Sequence, residues 1–152
     1  MQTPAMPPPP PSVAATAYAG FWRRVGAALI DGLIVGAATA PITLLAINVD
    51  VTDAGATTEW MRSPLYPVVT VAQWLYFALM ESSSRQATVG KMALGIRVTD
   101  VDGRRVSFGR ATGRYFAKFL SALILGIGFL MAAFTEKKQA LHDMIAGTLV
   151  VR

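Results

Sequence analysis

The residues with the clearest potential for chemistry are Arg24, Asp31, Glu81 and Asp143, because charged side chains in or beside apolar runs need a physical reason to be there. Asp31 interrupts an apolar run of membrane length, where an ionised aspartate near mid-helix costs roughly 2.5–3.5 kcal/mol. A carboxylate left unpaired in such a medium takes up a proton and can carry it. These four residues therefore predict either a site that moves protons or ions, or a charge network that fixes helix packing.

Arg24 and Asp31 are too far apart to form a self-contained ion pair. On a helix their separation corresponds to about two turns and roughly 10 Å. Each charge therefore needs a partner from elsewhere in the chain. For Arg24 the candidates are Asp143 and Glu81, and for Asp31 the candidate is polar backbone near residues 126–128.

Other kinds of chemistry lack the residues that they need. The chain has no cysteine and a single histidine, His142. Disulfides and thiol chemistry are therefore excluded, and so is a catalytic triad of nucleophile, general base and the residue that orients the base. The segment Thr88–Lys91 resembles part of a phosphate loop, but Arg85 replaces its earlier glycine and Met92 follows the lysine in place of serine or threonine. We therefore expect no enzyme activity, no metal site, no cofactor and no nucleotide.

The composition favours a membrane protein. Of the 152 residues, 53% are hydrophobic and 15% are charged, whereas soluble domains carry about 25% charged residues. The formal net charge of +5 fits either nucleic-acid binding or the cytoplasmic loops of a membrane protein. The basic residues flank the apolar runs, as loop charges do, so we expect the lipid bilayer as a partner and not nucleic acid.

Two apolar runs, residues 25–47 and residues 65–80, predict full transmembrane helices. Pro41 lies in the outer half of the first run and should kink that helix or end it early. The residues between them, 48–63, are acidic, and the other connections are rich in lysine and arginine. By the positive-inside rule, this loop is external and the N-terminus is cytoplasmic.

Residues 1–17 differ from the rest of the chain, because they contain the proline run Pro7–Pro11. Proline fixes φ and lacks an N–H donor, so we expect a disordered or polyproline-II tail on the cytoplasmic side. The remaining residues, 18–152, are predicted to form one membrane domain.

One face of the first predicted helix carries small residues at steps of four: Ala28, Gly32, Gly36 and Ala40. This spacing favours close approach of another helix, because packing drives helix association in lipid. The chain is too short to enclose a solute pathway by itself. We therefore expect a homo-oligomer or a membrane partner.

A third apolar segment, residues 119–134, is interrupted in its middle by Gly126 and Gly128. A full third span would place Lys137 and Lys138 outside, against the charge rule. A re-entrant helical hairpin that turns at the glycines keeps both lysines inside. The hairpin is the favoured interpretation, and the full span is the alternative.

The cytoplasmic segments predict a small β-structure. Residues 96–108 alternate apolar and polar side chains around Asp102 and Gly103, which is a strong hairpin signal. The β-prone residues 148–151 can add a third strand. The predicted fold class is therefore an all-α polytopic membrane protein with two full transmembrane helices, a third apolar segment, and a small cytoplasmic β-hairpin or three-stranded sheet.

Three motifs in order resemble the RDD family of small bacterial membrane proteins. They are residues 20–34, residues 88–98 and residues 141–148, and the resemblance covers residues 18–152. The arginine and the two aspartates that give the family its name match Arg24, Asp31 and Asp143. The resemblance implies a multi-pass protein of the bacterial cytoplasmic membrane. Transport of unidentified ligands is suggested for the family, with cation/proton exchange proposed for some members.

Two functions follow as expectations. In the first, an oligomer transports a small cation coupled to protons, with Asp31 alternating between a protonated and an ion-bound state. In the second, the protein is a membrane anchor or accessory subunit that docks a partner or anionic lipid through a basic cytoplasmic face. That face contains five arginines, two of which, Arg110 and Arg114, lie on a predicted basic amphipathic helix beside anionic head groups: Arg97, Arg104, Arg105, Arg110 and Arg114.

Overall fold

A computed structural model of the chain describes residues 17–47, 56–124 and 126–152. Most of the predicted tail and half of the predicted external loop lie outside these ranges. Within them the order of elements is α1 (Phe21–Ile47), α2 (Ala56–Arg62), α3 (Leu65–Ser82), α4 (Val89–Ala93), β1 (Arg97–Asp100), α5 (Phe108–Leu123), α6 (Ile127–Phe134), α7 (Leu141–Ala146) and β2 (Thr148–Val151).

Helix α1 corresponds to the first predicted span. Among the described helices, its segment Phe21–Leu44 alone is long and apolar enough to cross a membrane as a single helix, and most of this segment is exposed. Such exposure is expected of a helix that faces lipid, because the lipid and not the rest of the protein covers its apolar side chains. Pro41 lies inside α1, which continues to Ile47, so the proline does not end the helix early.

Helix α3 begins and ends close to the second predicted span, but its composition does not identify it as a span. The second full span therefore stays a prediction. Helices α5 and α6 together are apolar enough for one further span, and their axes bend by 101° at the break between them. Gly126 at this break has a φ of +75°, which favours glycine. The bend lies where the interrupted apolar run predicts a turn, and it fits both the broken span and the re-entrant hairpin.

The predicted β-hairpin is wrong in its main pairing. β1 pairs antiparallel with β2, so that Val98 lies opposite Val150, and the sheet has two strands in the described part of the chain. The second arm of the predicted hairpin contributes a single bridge, between Thr99 and Arg105. The turn itself forms, because Asp100 Oδ1 accepts hydrogen bonds from the backbone N–H groups that follow it, and the chain then leaves the sheet to begin α5.

The core lies where α1 begins, between this helix, α3, α5 and the sheet. Its side chains are small, as in Ala19, Ala27 and Ala78, or β-branched, as in Val98 and Val150. The backbone N–H of Ala19 donates to the carbonyl of Val150 over 2.8 Å. The chain that enters α1 is therefore fastened to the sheet, which brings the charged residues of distant segments to one place.

Candidate functional site

Arg24 is held at the start of α1 by Asp143 on α7. Its Nη1 donates to Asp143 Oδ2, its Nη2 donates to the carbonyl of Lys138 over 2.6 Å, and its Nε donates to the carbonyl of Ala19 over 3.1 Å. Every nitrogen of the guanidinium thus has an acceptor. Of the two partners predicted for Arg24, the structure provides Asp143 and not Glu81.

Arg114 on α5 connects the two buried acids. Its Nη2 lies 2.9 Å from Asp143 Oδ1, and its Nη1 donates to Glu81 Oε2 over 3.2 Å. The predicted position of Arg114 on an exposed basic face is wrong, because the residue is 2% exposed. The small residues Ala111 and Ala117 on the same helix are buried too, and they are the sequence signal that this face is internal.

Glu81 lies at the end of α3 and is 1% exposed. Besides Arg114, its carboxylate contacts Lys91, which donates to Oε1, and Lys118, whose Nζ lies 3.7 Å away. The predicted pairing of Glu81 with Arg24 is therefore wrong. Glu81 is a buried acid that is surrounded by three cations, and the loss of hydration is offset only because they are so close.

Asp31 accepts three hydrogen bonds, and none of them comes from the backbone near residues 126–128, so that prediction is wrong. The donors are Thr88 Oγ1 at 2.5 Å, the Gly90 N–H at 2.8 Å and the Tyr76 hydroxyl at 3.0 Å. Gly90 is required because a Cβ at this position would overlap the carbonyl oxygen of Ala27 and lie 2.9 Å from Asp31 Cγ. The segment that resembles a phosphate loop therefore binds the chain's own carboxylate.

Arg114 is predicted only as part of the basic cytoplasmic face, and Lys118 is not among the predicted site residues. Neither are Thr88, Gly90, Lys91 and His142. Their sequence neighbourhood offered one clue, since residues 88–98 and residues 141–148 belong to the motifs that resemble the RDD family. Which acid each of them meets depends on contacts between helices. The spacing of apolar and charged residues along the chain contains no information about such contacts.

The predicted packing face of α1 is exposed. Ala28, Gly32, Gly36 and Ala40 are all exposed, and the side of α1 that packs on α4 contains Ala27 and Asp31 instead. Contact of this face with another chain stays a prediction.

His142 on α7 is buried beside the network. Its Nδ1 lies 3.3 Å from Ser121 Oγ, its Nε2 lies 3.4 Å from Asp143 Oδ1, and its ring contacts Phe129 with 5.3 Å between centroids. Burial lowers the pKa of His142 to about 3, although the charge of Asp143 raises it in part. The imidazole is therefore neutral at pH 7.

Two further groups of the network that lie outside the helices of span length, Lys91 and Asp143, remain charged at pH 7. Burial lowers the pKa of Lys91 to about 8, with Glu81 acting in the opposite direction. Burial alone would raise the pKa of Asp143, but Arg114 and Arg24 lower it to well below its usual range.

In residues 17–47, 56–124 and 126–152, no group of three or more histidine, aspartate or glutamate side chains is arranged to hold a metal.

We expect the protein to lose stability in mild acid through His142. The unfolded chain takes up a proton near pH 6.5, whereas the folded chain does so near pH 3. The unfolded state thus binds more protons between these values, so this contribution is complete above pH 6.5 and falls as the pH drops. Between pH 7.5 and pH 5 the loss is about 2 kcal/mol.

The measurement is denaturant unfolding in detergent at both pH values, for the wild type and for His142→Gln. The variant should show a pH difference smaller by about 2 kcal/mol, because its side chain does not titrate. Equal differences for the two proteins would contradict the assignment of a neutral buried histidine.

The fold and the site together define a small, mostly helical protein in which one helix of membrane length is joined to α7 by a buried ion pair. The chain that enters this helix is joined to a two-stranded sheet by a backbone hydrogen bond. The family model of the RDD family matches residues 18–147. The chain belongs to the RDD family, a family of membrane proteins, as its three motifs predict.

Relatives from Bacillus subtilis (strain 168) cover most of the chain. YxaI is 41% identical over 146 residues, which are 88% of this chain and 96% of the relative. YteJ, whose name describes an uncharacterized membrane protein, is 37% identical over 142 residues, which are 89% of this chain and 81% of the relative. YckC is 32% identical over 137 residues, which are 87% of this chain and 83% of the relative. No solved structure matches the chain.

Proposed function

We propose that this chain is a multi-pass protein of the bacterial cytoplasmic membrane that acts as a membrane anchor or accessory subunit. In this proposal its N-terminus is cytoplasmic, and its sheet lies on the inner leaflet with a basic face against anionic lipid head groups. The observation that carries the proposal is a set of exposed arginines around the sheet, beside the start of α1. We use the name basic face for five of these residues: Arg97, Arg104, Arg105, Arg110 and Arg152.

The basic face is assembled by the sheet. Arg97 begins β1 opposite Val151, the neighbour of Arg152. Arg105 bridges to Thr99 in the same strand. The carbonyl of Arg104 accepts a hydrogen bond from the backbone N–H of Asp100 over 2.9 Å, at the end of β1. Because β2 is bonded to the chain that enters α1, these charges lie at the end of the membrane-length helix, where the positive-inside rule places cytoplasmic charge.

Attraction of this face to an anionic leaflet would be substantial. Each basic residue near such a surface contributes about 1 kcal/mol, and the effect falls off within a Debye length. Arg114 is excluded from this face because it is buried in the network.

Proton-coupled cation transport, the other predicted function, receives less support from the site. The oxygens of Asp31 already accept three hydrogen bonds, so few of their lone pairs are free to bind a cation. Glu81 and Asp143 are each paired with at least two cations. Four cationic side chains around the buried acids would repel an incoming cation.

The test is the preference of the reconstituted protein for phosphatidylglycerol over phosphatidylcholine, measured by quenching of its tryptophan fluorescence with brominated lipids. The variant carries both Arg104→Gln and Arg105→Gln. We expect it to lose up to about fivefold of the preference for each arginine removed, at low salt. The wild-type preference should also shrink at high salt, because these charges are exposed.

Arg62→Gln is the matched control, since Arg62 is exposed on α2, in the segment predicted to lie outside. It should leave the preference unchanged. An unchanged preference in the double variant, or an equal loss in Arg62→Gln, would contradict the proposal. The same proteoliposomes test cation exchange: pH-driven cation flux that disappears in Asp31→Asn would favour transport instead.

A further inference from the structure

A cavity of about 500 Å³ lies beside α1, and residues of α3, α4, α5, α6, α7 and β2 form its other walls. Its size falls within the usual range for small-ligand sites, about 300–1,000 Å³. One part of its wall is charged and the other part is apolar. The cavity is separate from the basic face, since none of the arginines of that face lines it.

The charged part of the cavity contains more positive than negative charge. Arg24, Lys91, Arg114 and Lys118 line it, and Asp31 is the acid among the described lining residues. Adding Glu81 and Asp143, which lie behind the wall, leaves four cations against three acids, because His142 is neutral. A buried excess of one positive charge is unfavourable in a medium of low dielectric, and one bound anion would neutralise it.

Two of the lining cations have donors to spare. Arg114 is buried, and its Nε has no hydrogen-bond partner among the described residues. The Lys118 ammonium lies 3.7 Å from Glu81 and 4.6 Å from the centroid of the Phe77 ring, and it makes no hydrogen bond in the described part of the chain. A buried donor without an acceptor, such as Arg114 Nε, is uncommon in native proteins and points to an acceptor supplied by a ligand. Lys118 lies beside it on α5, and its side chain is 26% exposed.

The apolar part of the cavity faces the side where α1 would meet lipid. Val25, Leu29 and Phe129 line this part. The cavity is open beside Leu29, which is 65% exposed. Ala28 and Gly32, the first two members of the predicted packing face, are also at this opening. Their small size leaves room between α1 and α6. A ligand with an apolar part can therefore enter from the bilayer.

We propose that this cavity binds one anionic lipid. Its single negative charge, a phosphodiester or a carboxylate, is bound by Arg114 and Lys118, and the beginning of its acyl chain lies against Leu29 and Phe129. The small residues of α1 serve in this proposal to admit the chain of a lipid. The inference does not depend on the basic face, because none of the arginines of that face lines the cavity.

The test is native mass spectrometry of the detergent-purified protein, titrated with phosphatidylglycerol, palmitate, phosphatidylcholine or inorganic phosphate. We expect one anionic lipid for each chain, retained after a wash in high salt, and neither phosphatidylcholine nor inorganic phosphate at the same concentrations. The comparison of phosphatidylglycerol with palmitate identifies which anionic group is bound. Binding of phosphatidylcholine to the same extent, or of inorganic phosphate without lipid, would overturn the proposal.

Three variants keep the proposal falsifiable, and two of them, Ala28→Trp and Leu33→Trp, change exposed residues outside the charge network. Lys118→Gln should weaken binding of the anionic lipid at least tenfold. Ala28→Trp should abolish it by filling the opening from an exposed position, whereas Leu33→Trp, on an exposed part of α1 outside the cavity, should leave it unchanged. Retention of the lipid in Ala28→Trp would overturn the proposal. Retention in Arg104→Gln/Arg105→Gln is expected, which separates this result from the test of the basic face.

Discussion

Replacing Arg114 with methionine is expected to destabilise the protein by about 3–5 kcal/mol, because the change leaves Glu81 and Asp143 buried with fewer compensating charges. The guanidinium contacts both acids, and methionine fills a similar space without replacing either contact. The measurement is the free energy of unfolding in detergent, followed by circular dichroism. A loss of this size would exceed the effect of any single exposed ion pair.

Arg110→Met on the same helix is the matched control. Arg110 is half exposed and lies 3.7 Å from Asp100, so its removal should cost less than about 1 kcal/mol. Should Arg114→Met fail to fold, Arg114→Met/Glu81→Gln provides the second measurement. The added change neutralises one stranded carboxylate and should recover part of the loss. Equal losses for Arg110→Met and Arg114→Met would show that burial of the network contributes nothing.

Replacing Gly90 with alanine is expected to destabilise the protein by about 3 kcal/mol through a steric clash. A Cβ at Gly90 would overlap the carbonyl oxygen of Ala27 and lie 3.0 Å from the backbone nitrogen of Asp31. Both are part of α1, which cannot move away without breaking the hydrogen bond from the Gly90 N–H to Asp31. The same unfolding measurement in detergent applies.

Gly113→Ala is the control for this prediction, because a Cβ at Gly113 in α5 would meet nothing within 4 Å. That change should be neutral or stabilising by up to about 1 kcal/mol, since alanine has less conformational freedom to lose on folding. A Gly90→Ala variant as stable as the wild type would contradict the close contact between α4 and α1. The hydrogen bond from the Gly90 N–H would then not account for the burial of the Asp31 carboxylate.

The two changes test different parts of one arrangement. Arg114 neutralises the acids contributed by α3 and α7, and a glycine at position 90 allows its own N–H, on α4, to reach the acid of α1. A charge network of this kind is a structural device whose removal is costly even where its net contribution to stability is small. The network fastens α7 to the start of the membrane-length helix, and the backbone N–H of Ala19 fastens the sheet there.

Several features followed directly from the sequence. The length and apolarity of residues 25–47 predict a helix that can cross a membrane, and Gly126 predicts the break between α5 and α6. Asp102 and Gly103 predict a turn, and a turn forms there. Each of these features depends on a few neighbouring residues, so composition and spacing are sufficient to identify it.

The sequence also identified Arg24, Asp31 and Asp143 as candidate site residues, first from their placement and then from the resemblance to the RDD family. It did not identify all of their partners. Arg24 is 119 residues from Asp143, and Asp31 is 57 residues from Thr88. Contacts at such separations depend on how the helices pack, and a single sequence contains no periodic signal for them.

The tertiary structure alone decided which charges are buried. Arg110, Arg114 and Lys118 have the same spacing and the same charge, yet Arg110 is exposed and Arg114 lies in the network. The hairpin failed for the same reason, because β1 pairs with β2, which lies far along the chain and is fully buried. Local sequence determines which residues form helices and turns, whereas burial and pairing depend on which surfaces meet when these elements pack together.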